Sequence, residues 1–390
     1  MSELNILQIN GGSTGSTGKI MFGIKKVAEK AGYEVCCASP VTLTNRNRSD
    51  YHAIGNSFGR KSSVLLSRIT GLNGCFAVPA TVEFLRYVSH FRPSVIHLHN
   101  LHDSYINIPM LFDYIRKNHI PVVWTLHDCW AFTGHCPHFI YEKCFRWKDG
   151  CHDCPRYEEY PKSFTDNSQW MWKRKKEWFT GVENMTIVTP SGWLANLVKQ
   201  SFLKEYPVQV IHNGIDLKVF KPTESDFREK YQIAECKKII LGTAFEWGVR
   251  KGLDVFVELA GRLDREKYQI VLVGTSDTID KLLPGNIISV HRTQNQKQLA
   301  EIYTAADMFV NPTREDNYPT VNMEALACGT PVITFNTGGS PEIPDEACGV
   351  VVPCDDTDAM ERTIVRICES GGFDPGYMRK YRLRFDDIEK

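Results

Sequence analysis

Short runs rich in β-branched and other apolar residues alternate with helix-patterned segments along almost the whole chain. Alternation of this kind predicts parallel sheets covered by helices on both faces. The runs form two series of about six strands, separated near His212–Pro222, where an Asn-Gly turn and a later proline mark a connector. We therefore expect two doubly wound α/β domains. The predicted strands are Leu4–Asn10, Tyr33–Ser39, Ser94–His99, Pro121–Leu126, Met185–Thr189, Val208–His212, Lys238–Ala244, Tyr268–Gly274, Ile287–Val290, Met308–Pro312, Pro331–Phe335 and Gly349–Pro353.

Length and charge narrow the classes of protein that fit. The 390 residues suit two domains of about 100–200 residues each. With 42% hydrophobic and 24% charged residues, the chain can form buried cores and is not disordered. Lys and Arg (46) balance Asp and Glu (46), which argues against a chain-wide surface for polyanions. We therefore expect no nucleic-acid partner.

The N-terminal sequence and the cysteine count bear on the compartment. The first strand begins at Leu4 with no signal region before it, and no apolar run reaches the ~20 residues that span a bilayer. We expect a cytoplasmic protein, with peripheral contact at the inner face of the membrane as an open alternative. The 13 cysteines are an odd number, which favours free thiols and one metal site over a disulfide framework.

Residues 311–343, NPTREDNYPTVNMEALACGTPVITFNTGGSPEI, carry the strongest functional pattern. Asp316 and Glu324 flank the start of a predicted helix, which Gly329 closes before a buried strand. The free N–H groups at a helix start attract anions. A carboxylate in the second turn can accept hydroxyl hydrogen bonds with both oxygens. This pattern suits a nucleotide sugar, with N–H donors for the diphosphate and Glu324 for the ribose. The alternative is a helix between two strands with solvated acids.

Two further loops have the composition of phosphate contacts. The first strand ends in INGGSTGSTGKI, where Gly12, Ser13 and Gly15 let backbone N–H groups approach a phosphate at a helix start. The spacing does not match a P-loop, and a structural turn is the alternative. In the second half, Arg250 and Lys251 precede a helix that begins near Gly252, where two cations can clamp a diphosphate. Solvated surface cations are the alternative there.

Taken in order, Arg250-Lys251-Gly252, Asp316, Glu324 and GTPVITFNTGGSPEI resemble the retaining glycosyltransferases of family 4. The motif HNGID at 212–216 and the glycine-rich loop extend the resemblance over most of the chain. The resemblance implies the GT-B fold, in which two Rossmann-like parallel-sheet domains face each other across a cleft. In that fold the C-terminal domain binds the nucleotide sugar and the N-terminal domain binds mainly the acceptor.

The resemblance also assigns roles to residues. Glu324 matches the second of two family Glu residues separated by seven positions, which holds the ribose, and Asp316 stands in place of the first. Pro319 replaces a glycine, and Phe245 stands where an arginine is common; Arg250 is the candidate substitute. The expected donor-binding residues are Gly12, Ser13, Gly15, Arg250, Lys251, Asp316, Asn317, Tyr318, Pro319, Thr320 and Glu324.

The family chemistry implies no strong base. Arg250, Lys251 and helix N-termini stabilise the leaving diphosphate electrostatically. His127, in VVWTLHD at a strand end, matches the family histidine near the reaction centre, with a structural histidine as the alternative. The expected catalytic residues are His127, Asp316 and Lys251. Three further histidines at the neighbouring strand end are candidates for an acceptor pocket without assigned roles: His97, His99 and His102.

The function that follows is transfer of a hexosyl sugar from a UDP- or GDP-sugar to a glycan or lipid-linked acceptor, in a branch that resembles capsular and colanic-acid-type polysaccharide enzymes. Two alternatives stay open: a sugar-nucleotide epimerase of GT-B architecture, and a non-catalytic nucleotide-binding protein. The expected domains are 1–207, with a cysteine-rich insertion near 129–155; 208–372; and a segment 373–390 that returns toward the first domain.

Four cysteines in the insertion, Cys136, Cys144, Cys151 and Cys154, have the spacing C-x7-C-x6-C-x2-C. Four thiolates in a loop with little core suit a tetrahedral structural zinc. Reduced thiols or an adventitious disulfide are the alternatives. No catalytic metal is expected, because Asp356-Thr357-Asp358 lies at a helix start, where helix capping explains it.

The segment Gln169–Phe179, QWMWKRKKEWF, places aromatic residues and four consecutive cations on one predicted helix. Such a helix can lie on an anionic membrane surface. We favour an ordinary helix with its aromatic residues in the core and its cations in water.

Overall fold

The structure, a computed structural model, describes residues 4–42 and 50–386. The chain divides into two compact units, residues 1–212 and 213–390. Each unit contains one entirely parallel sheet. The prediction of two doubly wound α/β domains is confirmed.

The first sheet has seven strands in the order β3-β2-β1-β4-β5-β6-β7. Its central strands are buried because helices cover both faces, as parallel sheets require. The sequence pattern missed β3, which has only three residues and therefore too few alternations to detect. The strands are β1 Asn5–Ile9, β2 Glu34–Pro40, β3 His52–Ile54, β4 Val95–Leu98, β5 Val122–Thr125, β6 Met185–Thr189 and β7 Val208–Val210.

The helices of the first unit include two with asparagine caps, where Asn56 and Asn107 accept hydrogen bonds from N–H groups of the first turn. The α-helices are α1 Gly15–Lys30, α2 Ser57–Thr70, α3 Val78–Phe91, α4 Ile108–Lys117, α5 Ser168–Phe179 and α6 Gly192–Val198. Two 3-10 turns, Trp130–Phe132 and Arg146–Lys148, lie in the cysteine-rich insertion.

The second sheet has six strands in the order β10-β9-β8-β11-β12-β13. All six were predicted. Their residues are mostly buried, which explains why they read as continuous apolar runs. The strands are β8 Lys238–Thr243, β9 Tyr268–Val273, β10 Ile287–Val290, β11 Met308–Asn311, β12 Val332–Phe335 and β13 Gly349–Val352.

Four helices of the second unit begin at a residue whose side chain caps the first turn: Ser276, Asn295, Asp356 and Asp374. Asp356 accepts a hydrogen bond from Ala359 N–H at 2.7 Å, so the capping interpretation of this acidic pair is confirmed. The α-helices are α7 Phe227–Lys230, α8 Leu253–Arg262, α9 Asp277–Asp280, α10 Gln296–Ala305, α11 Thr320–Ala327, α12 Thr357–Glu369 and α13 Pro375–Tyr381. The 3-10 turns are Val249–Lys251, Ser340–Glu342 and Arg382–Phe385.

The boundary between the units differs from the sequence-based one. Strand β7 pairs with β6, so residues 208–212, which we placed in the second domain, belong to the first sheet and its unit. The strand itself was predicted, as Val208–His212, and only the domain boundary drawn in front of it differs from the structure. The described part of the C-terminal segment packs within the second unit, where Tyr381 Oη donates to the Ile343 carbonyl and Ile215 N–H donates to the Phe385 carbonyl.

Both sheets have the topology that creates ligand sites. In a doubly wound sheet, ligands bind outside the carboxyl ends of strands where the strand order reverses direction. In the first sheet this switch point lies between β1 and β4, and in the second between β8 and β11. The glycine-rich loop follows β1, and the loops with Lys251 and Asp316 follow β8 and β11.

Candidate functional site

The switch point of the second sheet brings a cation and a carboxylate together. Lys251 Nζ lies 2.6 Å from Asp316 Oδ2, although 64 residues separate them in sequence. Both side chains are 22% exposed, so the pair is accessible to a ligand without being freely solvated. The contact follows from the pairing of β8 with β11, because the loops after two neighbouring parallel strands emerge at the same edge.

The loop that carries Lys251 is fastened to the loop after β11. The Arg250 carbonyl accepts hydrogen bonds from Arg314 N–H at 2.9 Å and from Thr313 Oγ1 at 3.4 Å. Gly252 has a φ of +72°, and a Cβ atom there would lie 2.4 Å from the Pro312 carbonyl oxygen. Only glycine therefore allows this close approach, which holds Lys251 in place before α8 begins.

Arg314, in the loop after β11, forms hydrogen bonds with two neighbouring segments. It is 8% exposed and forms two hydrogen bonds of 2.8 Å with the Asp254 carboxylate. A further hydrogen bond of 2.5 Å joins its Nε to Asp355. A bidentate guanidinium–carboxylate pair is directional and fixes both partners. Arg314 thus ties the loop after β11 to α8 and to the loop after β13. Sequence analysis did not identify this residue, because an arginine in a loop carries no signal for burial.

Asp316 is positioned by a glycine of the segment after β12. Gly338 has a φ of +55°, and a Cβ atom there would lie 1.8 Å from the Asp316 carbonyl oxygen. The Gly339 N–H donates to the same oxygen at 3.3 Å. The glycine pair in FNTGGSPEI therefore packs directly against the backbone that presents Asp316. This contact gives the glycine-rich motif a structural role in the site.

Glu324 lies on α11 and is held by a tyrosine from α10. Tyr303 Oη donates to Glu324 Oε2 at 3.2 Å and is 3.0 Å from Thr243 Oγ1, the last residue of β8. Burial, followed by the charge of Glu324, raises the pKa of Tyr303 well above its usual value, so the hydroxyl keeps its proton. Tyr303 was missed because a tyrosine in an amphipathic helix reads as an ordinary core residue.

The turn before α11 is more buried than we expected. Asn317 and Tyr318 are each 7% exposed, and the Tyr318 ring belongs to the hydrophobic core of the second unit. Pro319 has no N–H to donate and precedes Thr320, which is half-buried at the helix start. Tyr318 was one of the residues expected to contact the donor in this turn. Its ring instead packs into the hydrophobic core of the second unit.

An aromatic residue and a cation share a further loop of the second unit. Phe245 is 85% exposed, and the Arg292 guanidinium lies 4.7 Å from the centre of its ring. This distance is typical of a cation–π contact. Arg292 therefore places a positive charge beside the position where the family often has arginine.

In the first unit the glycine-rich loop lies at the corresponding switch point. Gly11 N–H donates to the Asn100 carbonyl at 2.8 Å, which ties this loop to the loop after β4. A Cβ atom on Gly18 would lie 2.6 Å from the Ser13 carbonyl carbon, so α1 packs tightly under the loop. Ser13 is buried, whereas Gly12 is half-buried and Gly15 is exposed at the start of α1, with a φ of +76°.

A chain of hydrogen bonds determines which ring nitrogen of His127 carries the proton. Gln8 Nε2 donates to the Met21 carbonyl at 3.0 Å, so its Oε1 faces His99 Nε2 and accepts at 3.2 Å. His99 Nε2 therefore carries the proton, and its Nδ1 accepts from His127 Nε2 at 3.0 Å. Burial lowers the pKa of His127 to about 4, so the ring is neutral at pH 7 with its proton on Nε2 and an acceptor lone pair on Nδ1.

A second histidine at this edge is charged. His102 Nε2 lies 3.1 Å from Asp128 Oδ2, and Tyr160 Oη contacts both His102 Nδ1 at 2.7 Å and Asp103 Oδ1 at 2.5 Å. Burial lowers the pKa of His102, but the charge of Asp128 and the hydrogen bonds of both carboxylates outweigh burial and raise it to about 10. The carboxyl edge of the first sheet therefore holds one neutral and one positive imidazole.

The four cysteines of the insertion surround one small cavity. Cys136, Cys144, Cys151 and Cys154 all line it, and all four are free thiols. Among the described residues, the only set of three or more metal-binding side chains with ligand atoms within 4.8 Å of one another is Asp277, Asp280 and His291. The four sulfurs are thus close to one cavity but would have to move inward to share one ion. Zinc binding stays a prediction.

Helix α5 packs as an ordinary helix. Met171, Trp172 and Phe179 are buried, and three of its four consecutive cations are exposed. Lys175 is the exception to the expectation of cations in water: it is 0% exposed, donates to the carbonyls of Trp130 and Thr133, and lies over the Trp130 ring. Helical spacing places Lys175 four residues after Met171, on the inward face. No helix in the described part of the chain is long and apolar enough to span a membrane.

Comparison with solved structures supports the fold. Sucrose-phosphate synthase from Thermosynechococcus elongatus is similar over 99% of this chain and 95% of its own, with a TM-score of 0.70 and 20% identity. HepE from Anabaena, solved in complex with UDP and glucose, is similar over 99% of this chain and 96% of its own, with a TM-score of 0.69 and 12% identity. Two parallel-sheet domains with these structural relatives identify the fold as GT-B.

Sequence comparison identifies the family. WcaC of Escherichia coli (strain K12), which is named as a colanic acid biosynthesis glycosyl transferase, is 26% identical over 271 residues, covering 67% of this chain and 64% of WcaC. The chain thus spans less than two thirds of this relative. The family model "Glycosyl transferases group 1" matches residues 237–370, and the model "Glycosyltransferase Family 4" matches residues 24–219, half of the chain. The chain belongs to glycosyltransferase family 4.

Proposed function

We propose that this protein is a retaining hexosyltransferase that moves a sugar from a UDP- or GDP-sugar to a glycan or lipid-linked acceptor in surface polysaccharide biosynthesis. The observation that carries the proposal is the 2.6 Å contact between Lys251 and Asp316 at the switch point of the second sheet, with Glu324 anchored at the end of β8. This edge offers a cation for phosphate and carboxylates for hydroxyl groups.

The diphosphate would lie at Lys251 and the first turn of α11. A diphosphate oxygen replaces Asp316 as a partner of the ammonium, and the N–H groups at the start of α11 add a positive potential. As the glycosidic bond breaks, negative charge grows on the leaving oxygen, and these preplaced donors stabilise it. Arg250 adds a second positive charge next to Lys251, and Arg292 a third beside Phe245.

Glu324 would hold the ribose. Its carboxylate accepts a hydrogen bond from Tyr303, and a carboxylate has two oxygens that can accept from vicinal hydroxyl groups. Tyr303 also contacts Thr243, so the carboxylate is braced against the strand end rather than rotating in solvent. A braced acceptor loses less conformational entropy when it binds a sugar.

In the first unit, His127 would contact the sugar. Its Nε2–H group donates to His99, so the ring would meet the sugar as a neutral imidazole of fixed orientation. The ring does not act as a strong base, because burial keeps its pKa near 4. This agrees with chemistry in which the leaving diphosphate itself takes the acceptor proton.

The relatives support the donor and the pathway class. HepE is solved with UDP and glucose, which supports a nucleotide-sugar donor for this chain. WcaC is named for colanic acid biosynthesis, which supports a polysaccharide acceptor. At 12% and 26% identity these relatives leave the sugar and the linkage to experiment.

A thermal-shift screen of UDP- and GDP-sugars, followed by turnover with each stabilising donor, tests the proposal. We expect one donor to raise the melting temperature and to be consumed only when a glycan or lipid-linked acceptor is present. Proton NMR of the product should show the anomeric configuration of the donor. Donor turnover without an acceptor would instead identify an epimerase, and donor binding without transfer to any acceptor in the panel would identify a non-catalytic binding protein.

A further inference from the structure

A polar cavity lies in the first unit, at the carboxyl edge of its sheet. Its volume is about 310 Å³, at the lower end of the range of small-molecule sites. Helix α2 and residues 158–162 form most of its wall, and the loop after β4 contributes Asp103 and Ser104. Because the strand order of this sheet reverses between β1 and β4, that loop lies where doubly wound sheets bind ligands. The cavity therefore has the size and the position of a ligand site.

Two buried polar atoms of the residues that line this cavity have no hydrogen-bond partner in the described part of the chain. One is the amide oxygen of Asn73, a residue that is 8% exposed and whose amide nitrogen donates to Ser104 Oγ at 3.1 Å. The other is Nε of Arg60, which carries a hydrogen to donate. Unpaired buried polar atoms are costly and therefore rare. An acceptor and a donor at one cavity point to a ligand that offers both.

Three cations line the cavity: Arg60, Arg68 and Lys162. None of them forms a salt bridge with any residue in 4–42 or 50–386. Arg68 and Lys162 are exposed, and Arg60 is half-buried. One of the acids of the lining, Glu158, is also exposed and accepts a hydrogen bond from the neutral hydroxyl of Tyr157 at 3.1 Å. The cations of the cavity are therefore not compensated by neighbouring carboxylates.

The other two acids of the lining have cationic neighbours outside the cavity. Glu159 accepts two hydrogen bonds from Arg156, at 2.6 and 3.0 Å. Asp103 Oδ1 accepts from Tyr160 Oη at 2.5 Å and lies 3.8 Å from the ring of His102, which is protonated at pH 7. Three cations without a salt bridge thus share the lining with one carboxylate that has no cationic partner. This balance favours an anionic ligand.

We propose that this cavity binds an anionic sugar residue of the acceptor glycan, one that carries a carboxylate or a phosphate group. The inference rests on the proposed function and names the class of acceptor. The anionic group accepts from the Arg60 guanidinium and lies near the charges of Arg68 and Lys162, while a hydroxyl group of the same sugar donates to the Asn73 amide oxygen. Tyr160, which is 52% exposed, offers its ring to the apolar side of the sugar.

Hydrogen bonds connect the cavity to the histidines at the strand ends. Tyr160 Oη is 2.7 Å from His102 Nδ1, and His102 Nε2 is 3.1 Å from Asp128 Oδ2. Asp128 directly follows His127 in the chain. An acceptor held in the cavity by its anionic sugar can therefore present a neighbouring sugar to His127. The role of the cavity is recognition of the acceptor and not catalysis.

Binding of small probes to the full chain tests the proposal without any sugar transfer. The probes are methyl glucuronide and glucose 6-phosphate, with methyl glucoside as the neutral control. We expect calorimetry to give a dissociation constant of about 1 mM for at least one anionic probe and at least about tenfold weaker binding of the glucoside. The anionic probe that binds more tightly identifies the group that the cavity selects. Equal binding of the glucoside, or no binding of either anionic probe up to about 20 mM, would overturn the proposal.

Two variants of the lining assign the binding to this cavity. Asn73→Asp keeps the shape of the side chain but places a carboxylate against the anion, and Arg68→Gln/Lys162→Gln removes two exposed charges. Each should weaken binding of the anionic probe at least about fivefold. The matched control Lys199→Gln/Lys204→Gln removes two exposed charges elsewhere in the first unit and should stay within about twofold.

Thermal unfolding verifies that Asn73→Asp is folded, and if it is not, the double variant with exposed substitutions decides. Unchanged probe binding in Arg68→Gln/Lys162→Gln would overturn the proposal. With an acidic acceptor, the same variant should raise the KM for the acceptor at least about fivefold without a matching loss of donor affinity. Probe binding without sugar transfer would support the site and count against the proposed function alone. Transfer without probe binding would overturn the site alone.

Discussion

Lys251 and Asp316 form an ion pair of 2.6 Å between the loops that follow two neighbouring strands, β8 and β11. An ion pair at a ligand site keeps the lysine extended toward the edge of the sheet before the ligand arrives. Under the proposed function, the diphosphate would exchange with the carboxylate instead of ordering a mobile side chain. The pair thus connects the topology of the second sheet to the chemistry that we propose.

Replacement of Lys251 should slow transfer more than it weakens donor binding. The charge on the leaving diphosphate grows in the transition state, so Lys251→Ala should lower kcat by about 10²–10³-fold. Lys251→Arg should retain most activity, and Lys281→Ala, a change far along the chain, should retain all of it. Kinetics with saturating donor measure the effect. An equal loss in donor affinity with unchanged kcat would contradict this role.

Removal of the Glu324 carboxylate should abolish measurable donor binding. Each hydrogen bond from a hydroxyl to a charged group contributes about 1.5–3 kcal/mol, and Glu324→Ala removes two of them to the ribose. Calorimetry with a nucleoside diphosphate measures the loss. Tyr303→Phe keeps the carboxylate but removes its 3.2 Å hydrogen bond, so a smaller loss is expected. Unchanged affinity in Glu324→Ala would refute the ribose assignment.

A methyl group at Gly338 should disturb Asp316 specifically. Its Cβ atom would lie 1.8 Å from the Asp316 carbonyl oxygen, so Gly338→Ala has to displace that backbone. Gly371→Ala is the matched control, since its φ is also positive (+82°) but no atom lies within 4 Å of the added methyl group. Both changes should cost about 1 kcal/mol of stability for the backbone conformation. Only Gly338→Ala should also lower donor affinity, by at least about tenfold.

Stability should depend on pH through His102. Despite burial, Asp128 and Asp103 raise the pKa of His102 to about 10. Between pH 6.5 and about 10 the native ring is protonated and the unfolded one is not, so the stabilisation is complete below pH 6.5 and is lost as pH rises toward 10. His102→Gln should lower the unfolding free energy by about 3–5 kcal/mol at pH 6.

Urea unfolding of this variant and the unchanged protein at pH 6, 8 and 10 measures the difference, which should shrink at the highest pH. His90→Gln, a change at an exposed ring, should show a small difference at every pH. A difference for His102→Gln that stays constant from pH 6 to 10 would contradict the ion pair with Asp128.

Protein purified without chelator should contain about one zinc per chain. The four cysteines line one cavity, and Gly134 N–H donates to Cys151 Sγ at 3.1 Å, a hydrogen bond that a zinc-bound sulfur would keep. Cys151→Ser/Cys154→Ser should lose the metal, whereas Cys236→Ser/Cys354→Ser, which changes two exposed thiols, should keep it. Fewer than about 0.2 zinc per chain in the unchanged protein would count against the site.

The sequence alone determined the two parallel sheets, because strands buried on both faces appear in the sequence as continuous apolar runs. It also singled out Lys251, Asp316 and Glu324 as candidate site residues, since their residue types and order are local features. It could not place β3, which is too short to show a pattern, or identify Tyr303, Arg314 and His102 as partners. Those roles depend on contacts between distant segments.

The tertiary structure decided which side of each helix is buried. Helices α2 and α5 both combine apolar residues with cations, and by composition α5 has the stronger membrane pattern. Packing agrees with the ordinary helix that we expected for α5, because α5 buries Met171 and Trp172, whereas α2 buries serines and exposes large apolar residues. Helical periodicity shows that a helix has two sides. Only the neighbours that pack against it determine which of them faces water.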